Sequence, residues 1–172
     1  GVNVGGHNII KMDMLKKSFE ELKFHNVVSY IQSGNIIFSS EISDVATITQ
    51  MIEKKLSKDF SYAATVAAIT NNDIQNIVKK APADFGKENE THRYDVIYFI
   101  HQQQPEDYKN SLPIVEKEES FKISKHVIYF KRLIRTNTKS SLDKLASGKL
   151  SKIITIRNWN TTLKLAELIG TR

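Results

Sequence analysis

The chain has 172 residues, 40% hydrophobic and 26% charged, with 7 Gly and 3 Pro, proportions that exclude disorder, collagen and a coiled-coil rod and let roughly 70% of the unfolded surface be buried. Its apolar runs fall far short of the ~18 residues that span a bilayer, no apolar stretch follows a basic start, and zero Cys excludes a disulfide framework, a thiol nucleophile and a Cys-type zinc site, so no membrane association and a cytoplasmic location are expected. Lys and Arg outnumber Asp and Glu by 25 to 19, but unevenly: residues 1–124 carry a net −3, while 125–172, with 11 against 2, carry +9, an asymmetry that favours an anionic partner or a solvated basic face.

In chain order, residues 1–6 (Gly-Val-Asn-Val-Gly-Gly) read as the end of a strand entering a glycine turn. Met12, Leu15, Phe19 and Leu22 recur at helical spacing, predicting a helix over 11–24. Residues 27–32 and 36–38 are β-rich runs around Ser33-Gly34, read as a hairpin with a two-residue turn. Val45, Ile48, Ile52 and Leu56 predict a second helix capped by Ser43, and 62–70 reads as a strand. A short helix over 73–80 ends before Pro82, and 82–91 is a connecting loop. Strands are expected at 94–101, 120–124, 127–131 and 153–156, short helices at 105–110 and after Ser140 or Ser141, and a last helix over 160–169 ending at Gly170 as a left-handed cap.

The order βαββαβ occurs twice, so the expected fold is α+β: two successive ferredoxin-like units with antiparallel sheets, each with helices on one face. The divisions are 1–80 for the first unit with its connecting helix, 81–93 for the linker, and 94–172 for the second unit with a C-terminal helix. The first unit lacks most of its opening strand, so a strand-forming segment is expected before Gly1.

Two clusters carry chemistry. In a ferredoxin-like unit the loop after the first strand and the tip of the hairpin lie at one end of the sheet. There Asn3, His7, Asn8, Gln32, Ser33, Gly34 and Asn35 would converge with the bare amides of Gly5 and Gly6, a setting open to an anion. The alternative is that these residues only make tight turns and cap a helix. The second cluster is Arg157, Asn158, Trp159, Asn160 and Thr161, followed by Lys164. Trp159, the only Trp, would stack a planar ligand or base while Arg157 meets a carboxylate or phosphate, with Arg132, Arg135 and Lys139 as neighbours. The alternative here is a core Trp, a capping Asn160 or Thr161, and a structural Arg.

No catalytic constellation is visible. The five His show no i,i+3 or i,i+4 pairing and no H-E-x-x-H, and G-x-G-x-x-G, the P-loop ending and G-x-S-x-G are absent, so neither a metal nor a cofactor is expected.

The runs Gly1-Val2-Asn3-Val4-Gly5-Gly6, Ser29-Tyr30-Ile31-Gln32-Ser33-Gly34-Asn35-Ile36-Ile37-Phe38 and Thr155 to Leu165 resemble a bacterial family of domains of unknown function, family 1697. Its members look like R-G-[IV]-N-V-G-G, T-Y-[IL]-Q-S-G-N-V-[VI]-F and T-x-R-N-W-x-T-x-x-K-L. Here the Arg before Gly1 is missing, Ser29 stands where Thr is usual, and 131–141 departs from the family's Gly- and Ser-rich stretch. The resemblance implies a cytosolic α+β protein and no particular reaction.

From the residues, the expected function is binding of a phosphorylated small molecule or nucleic acid through the glycine and Gln-Ser-Gly-Asn loops and the basic C-terminal surface. Two other classes stay open: an enzyme that polarises a substrate with Gln32, Ser33, Asn35 and Arg157, and a structural module that forms a homo-oligomer through an unpaired sheet edge.

Overall fold

The computed structural model describes residues 10–112, 119–134 and 140–171. The expected opening strand with its glycine turn, and Arg135 and Lys139, lie outside the described residues. Two compact units divide the chain, residues 1–68 and 69–172.

In the first unit, α1 (Met12–Glu21) buries Leu15, Ser18 and Phe19, the side of the helix that the periodic spacing marks as apolar. The strands β1 (His25–Tyr30) and β2 (Asn35–Ser39) pair antiparallel, with Tyr30 opposite Asn35. Helix α2 (Val45–Phe60) turns Ile48, Ile52 and Leu56 into the same core. Phe24 stacks on Phe38 at 4.5 Å and Phe19 meets Phe38 edge-on at 5.3 Å, arrangements that suit the ring quadrupoles. At the rim, Ser18 Oγ donates to Asp59 Oδ2 at 2.5 Å, and Lys55 Nζ bridges Glu21 at 2.6 Å and Asp59 at 2.8 Å, tying α2 to α1.

Three local expectations change in this unit. The cap of α2 is Asp44, not Ser43: its carboxylate accepts from Thr47 N at 2.8 Å and is ready-made for the positive helix end. The hairpin loop has four residues, 31–34, because Ile31 (φ +50°) enters the left-handed region as well as Gly34 (φ +78°). Residues 62–70 form no strand. Side chains of α2 take the amides a ladder would have used, Ser57 Oγ accepting from Ala64 N and Glu53 Oε1 from Val66 N.

The second unit begins with α3 (Asn71–Lys79), held at its start by a reciprocal Thr70–Asp73 capping box. The helix expected with the first unit, and the expected 81–93 linker, thus fall in the second. Gln75 Nε2 donates to Ala166 O at 2.9 Å, and the buried Tyr129 hydroxyl donates to Ile77 O at 2.7 Å. The sheet comprises β3 (His92–Phe99), β4 (Glu119–Ile123), β5 (Val127–Leu133) and β6 (Ile154–Asn158), in the spatial order β4-β5-β3-β6 with every pair antiparallel. Two 3-10 segments, Ile100–Gln102 and Pro105–Ser111, follow β3.

Because side chains alternate along a strand, β3 feeds two cores. Ile97 and Phe99 face Ile128, Phe130 and Ile154 under Leu142 and Leu145 of α4 (Ser141–Ser147). Tyr98 faces the other way, its hydroxyl 2.9 Å from Thr162 Oγ1 of α5 (Trp159–Gly170). Helices therefore cover both faces of this sheet, not one. Gly170 is not a left-handed cap either. It sits inside α5, where an added Cβ would lie 3.3 Å from Gln75 Nε2, so the missing side chain serves the close approach of α3.

Candidate functional site

The Gln-Ser-Gly-Asn loop is built around Asn35, which is 8% exposed. Its Nδ2 donates to Tyr30 O at 3.2 Å and to Ser33 Oγ at 3.1 Å, closing the loop across the first β1–β2 pair. Gly34 supplies the positive φ that completes the turn. Gln32 and Ile31 are exposed, and Ile31, a β-branched residue held left-handed, is a strained position of the kind that clusters at functional sites. Of the partners expected for this loop, Asn3, Gly5, Gly6, His7 and Asn8 lie outside the described residues.

In the second unit, Asn158 is the cap of α5: its Oδ1 accepts from Asn160 N at 3.0 Å while its Nδ2 donates to Tyr94 O at 3.1 Å. Trp159 is buried, edge-on to Phe85 at 5.1 Å, and a Cβ on Gly86 (φ +89°) would come within 2.6 Å of its ring. Its flat surface is thus spent inside the fold, as the core reading has it. Arg157 is half-buried. Its Nη1 donates to Thr155 Oγ1 and Ile156 O, both at 2.8 Å, and burial pulls its guanidinium below its ordinary range. Lys164 pairs with Glu167 at 2.7 Å on the surface of α5, and Thr161 is half-buried one residue before the fully buried Thr162.

Register shows which of these meet. Asp95 of β3 stands opposite Asn158 on β6 and Phe130 on β5, whereas Arg157 stands opposite Val96, one position along, and so projects to the other face. Arg132 reaches the Asp95 side, and the two expected neighbours Arg132 and Arg157 are separated by the sheet. What gathers on the Asp95 side is a polar cluster at the end of β3, β5 and β6. Arg93 lies directly opposite Arg132, and Arg132 lies opposite Glu119. Arg132 Nε and Asp95 Oδ2 face each other at 3.5 Å, both buried and both without a hydrogen bond. Arg132 Nη1 reaches Ser140 Oγ at 3.4 Å, while Glu119 accepts the Ser141 amide on both oxygens at 3.2 Å. Ser140 and Asp143 complete a capping box on α4.

Electrostatics at this cluster are unbalanced. Burial raises the Asp95 carboxyl above its ordinary value, and the opposing pulls of Arg132 and then Arg93 do not cancel that. Like charges directly opposite on adjacent strands repel, so Arg93 and Arg132 form a lip of two cations beside the buried carboxyl, in a cluster that also holds Glu119 and Asp143. Sequence reasoning named Arg132 and Asn158 but passed over Asp95, Arg93, Glu119 and Thr162. The available signal was a carboxylate inside an apolar strand, two positions from an Arg.

Together, the antiparallel sheet with helices on both faces and the polar end of β3 define an α+β protein with a charged cluster at the end of its sheet. The family profile described as "Protein of unknown function (DUF1697)" matches residues 1–129, and the chain belongs to that family. The match takes in both N-terminal motifs, while the Arg-Asn-Trp motif lies beyond it. The fold resembles the solved structure of conserved bacterial protein SP0830 from Streptococcus pneumoniae, with a TM-score of 0.84 at 24% identity, covering 98% of this chain and 94% of that one. No curated protein matches the chain. Among the described residues no group of three or more His, Asp or Glu is placed to hold a metal ion, and no helix is long and apolar enough to cross a membrane.

Proposed function

We propose that this is a cytoplasmic binding protein for a small phosphate-bearing molecule, held at the Arg93–Arg132 lip of the second unit. The observation that carries the reading is the cross-strand register that sets Arg93 directly opposite Arg132 at the rim of this cluster. A dianion between two Arg relieves their repulsion and accepts forked, charge-assisted hydrogen bonds. The burial of Trp159 against Phe85 weighs against nucleic acid, whose single-stranded bases need an open aromatic platform. The ferredoxin-like reading of the second unit draws support from its strand order, and that of the first from element order alone.

The test is a thermal-shift series with inorganic phosphate, sugar phosphates, nucleotides and short oligonucleotides at low and high salt. A ligand at a hundredfold excess over its Kd stabilises by about 2.7 kcal/mol, a rise of roughly 5–10 °C for a chain of this size. Arg93 is exposed, so Arg93→Met should abolish the shift while the unliganded protein melts no lower. An oligonucleotide shift that vanishes in salt would move the reading to nucleic acid. No shift from any phosphate compound rejects it. A second reading, an enzyme, is favoured by the raised Asp95 carboxyl; turnover of the bound compound, lost in Asp95→Asn, would establish it.

A further inference from the structure

A concavity in the second unit lies between α3 and the turn joining β4 to β5, with a volume of about 150 Å³. One wall is a single side of α3 with its C-terminal cap, bearing Asn72, Asp73, Asn76 and Lys80, and the other is the turn bearing Lys125 and His126. The walls are pinned together. Tyr129 of β5 donates its hydroxyl to Ile77 O of α3, and the turn is closed by Ser124 N bonding to Val127 O at 2.9 Å.

Charge in this cleft is unequal. Asp73 is engaged on both oxygens, Oδ2 with the Thr70 hydroxyl at 2.7 Å in the cap of α3 and Oδ1 facing His126 Nε2 at 3.9 Å. Among the described residues neither Lys80 nor Lys125 has an ion-pair partner. Two lysines and two asparagines thus line a recess whose one carboxylate is already engaged by Thr70 and His126. Drug-sized ligands fill roughly 300–1,000 Å³, so this space takes only a small ion or its equivalent, about five waters in volume.

We propose that the α3–turn cleft binds a small oxyanion, a phosphate or carboxylate on at most a short carbon chain, through Lys80 and Lys125 with Asn72 and Asn76 as supporting donors. It is distinct from the Arg93–Arg132 lip, since no residue lines both. Lysines on opposite walls close on an oxyanion from two sides with charge-assisted hydrogen bonds.

The experiment is a titration of the full chain with sodium phosphate, and separately with sodium acetate, at constant ionic strength and pH, following the histidine ring signals by NMR. His126 reports the cleft, His92 the β3 end near Arg93, and His25 the first unit. Saturable movement of the His126 signals with either anion, weakened roughly tenfold or more in Lys80→Met and in Lys125→Met, is the expected result, since each removes one charge-assisted contact. Both lysines are exposed, so these variants should keep the fold, and unchanged His25 signals would verify it. A response at His92 without one at His126 overturns this inference and leaves the Arg93 reading standing. Equal drift of every histidine, or a His126 response that survives both substitutions, overturns it too.

Discussion

Ile31 adopts a left-handed backbone at φ +50° with its side chain 48% exposed, so the conformational cost of about 1–2 kcal/mol is repaid by little burial. Ile31→Asn should therefore raise the urea midpoint by about 1 kcal/mol of stability, because Asn tolerates that region; a lower midpoint would mean the side chain packs in solution. Asn35→Ala is expected to act in the opposite sense. It removes the donor that closes the loop and leaves Tyr30 O short of a partner, costing about 1–3 kcal/mol in the same denaturation experiment. Gly86→Ala forces a Cβ to within 2.6 Å of Trp159 at a backbone angle that also disfavours a side chain, so a loss of more than about 1 kcal/mol is expected. The emission of the lone Trp would shift with it, and a native spectrum with native stability would contradict the geometry. These roles were only partly legible. Asn35 and Trp159 stood out by composition and motif, but that both serve the fold's interior depends on Tyr30, Phe85 and Gly86, which only the folded chain brings to them.

Element boundaries were legible where one local rule acted alone. The spacing of Leu15 and Phe19 predicted α1, and Ser140 or Ser141 before an apolar run predicted a cap for α4, which is Ser140. They were not legible where distant groups decided the outcome. Residues 62–70 look like a strand, yet Glu53 and Ser57 capture two of their amides; α3 looks like a connector, yet Gln75 ties it to α5 and Tyr129 ties it to the second sheet. Asp95 is the clearest case, since a carboxylate in β3 becomes informative only when the register sets Arg93, Arg132 and Asn158 around it. Its raised carboxyl gives a pH signature. The folded state holds this proton more tightly than the unfolded one, so the associated stability is full below the ordinary value of 3.8 and is lost as pH rises through it toward the folded value. Asp95→Asn keeps the shape without the charge and should flatten that decline in melting temperatures recorded across the acid range. An unaltered profile would show the carboxyl to be hydrated.

Across the whole molecule, charge is divided along the chain, with a net +9 in residues 125–172, but the folded arrangement sets acids from outside that segment against part of it. Lys131 pairs with Glu88 at 2.6 Å and Arg132 faces Asp95. The surface left to steer an anion is therefore smaller than composition suggests. Association with a phosphate ligand should slow with ionic strength only modestly, not with the steep dependence of a protein that neutralises many phosphates at once. A steep log–log salt slope in stopped-flow binding would contradict the small-ligand reading.

β3 is the first strand of its sheet in sequence but lies between β5 and β6 in space. During synthesis it leaves the ribosome with six consecutive residues destined for burial and with both partners still unmade. The sheet cannot close until β6 has been translated, so long-range pairing delays its protection and exposes a template for other nascent chains. Chains arrested before Ile154 should consequently be protease-sensitive across β3 and prone to co-aggregate, while chains extended past α5 should not.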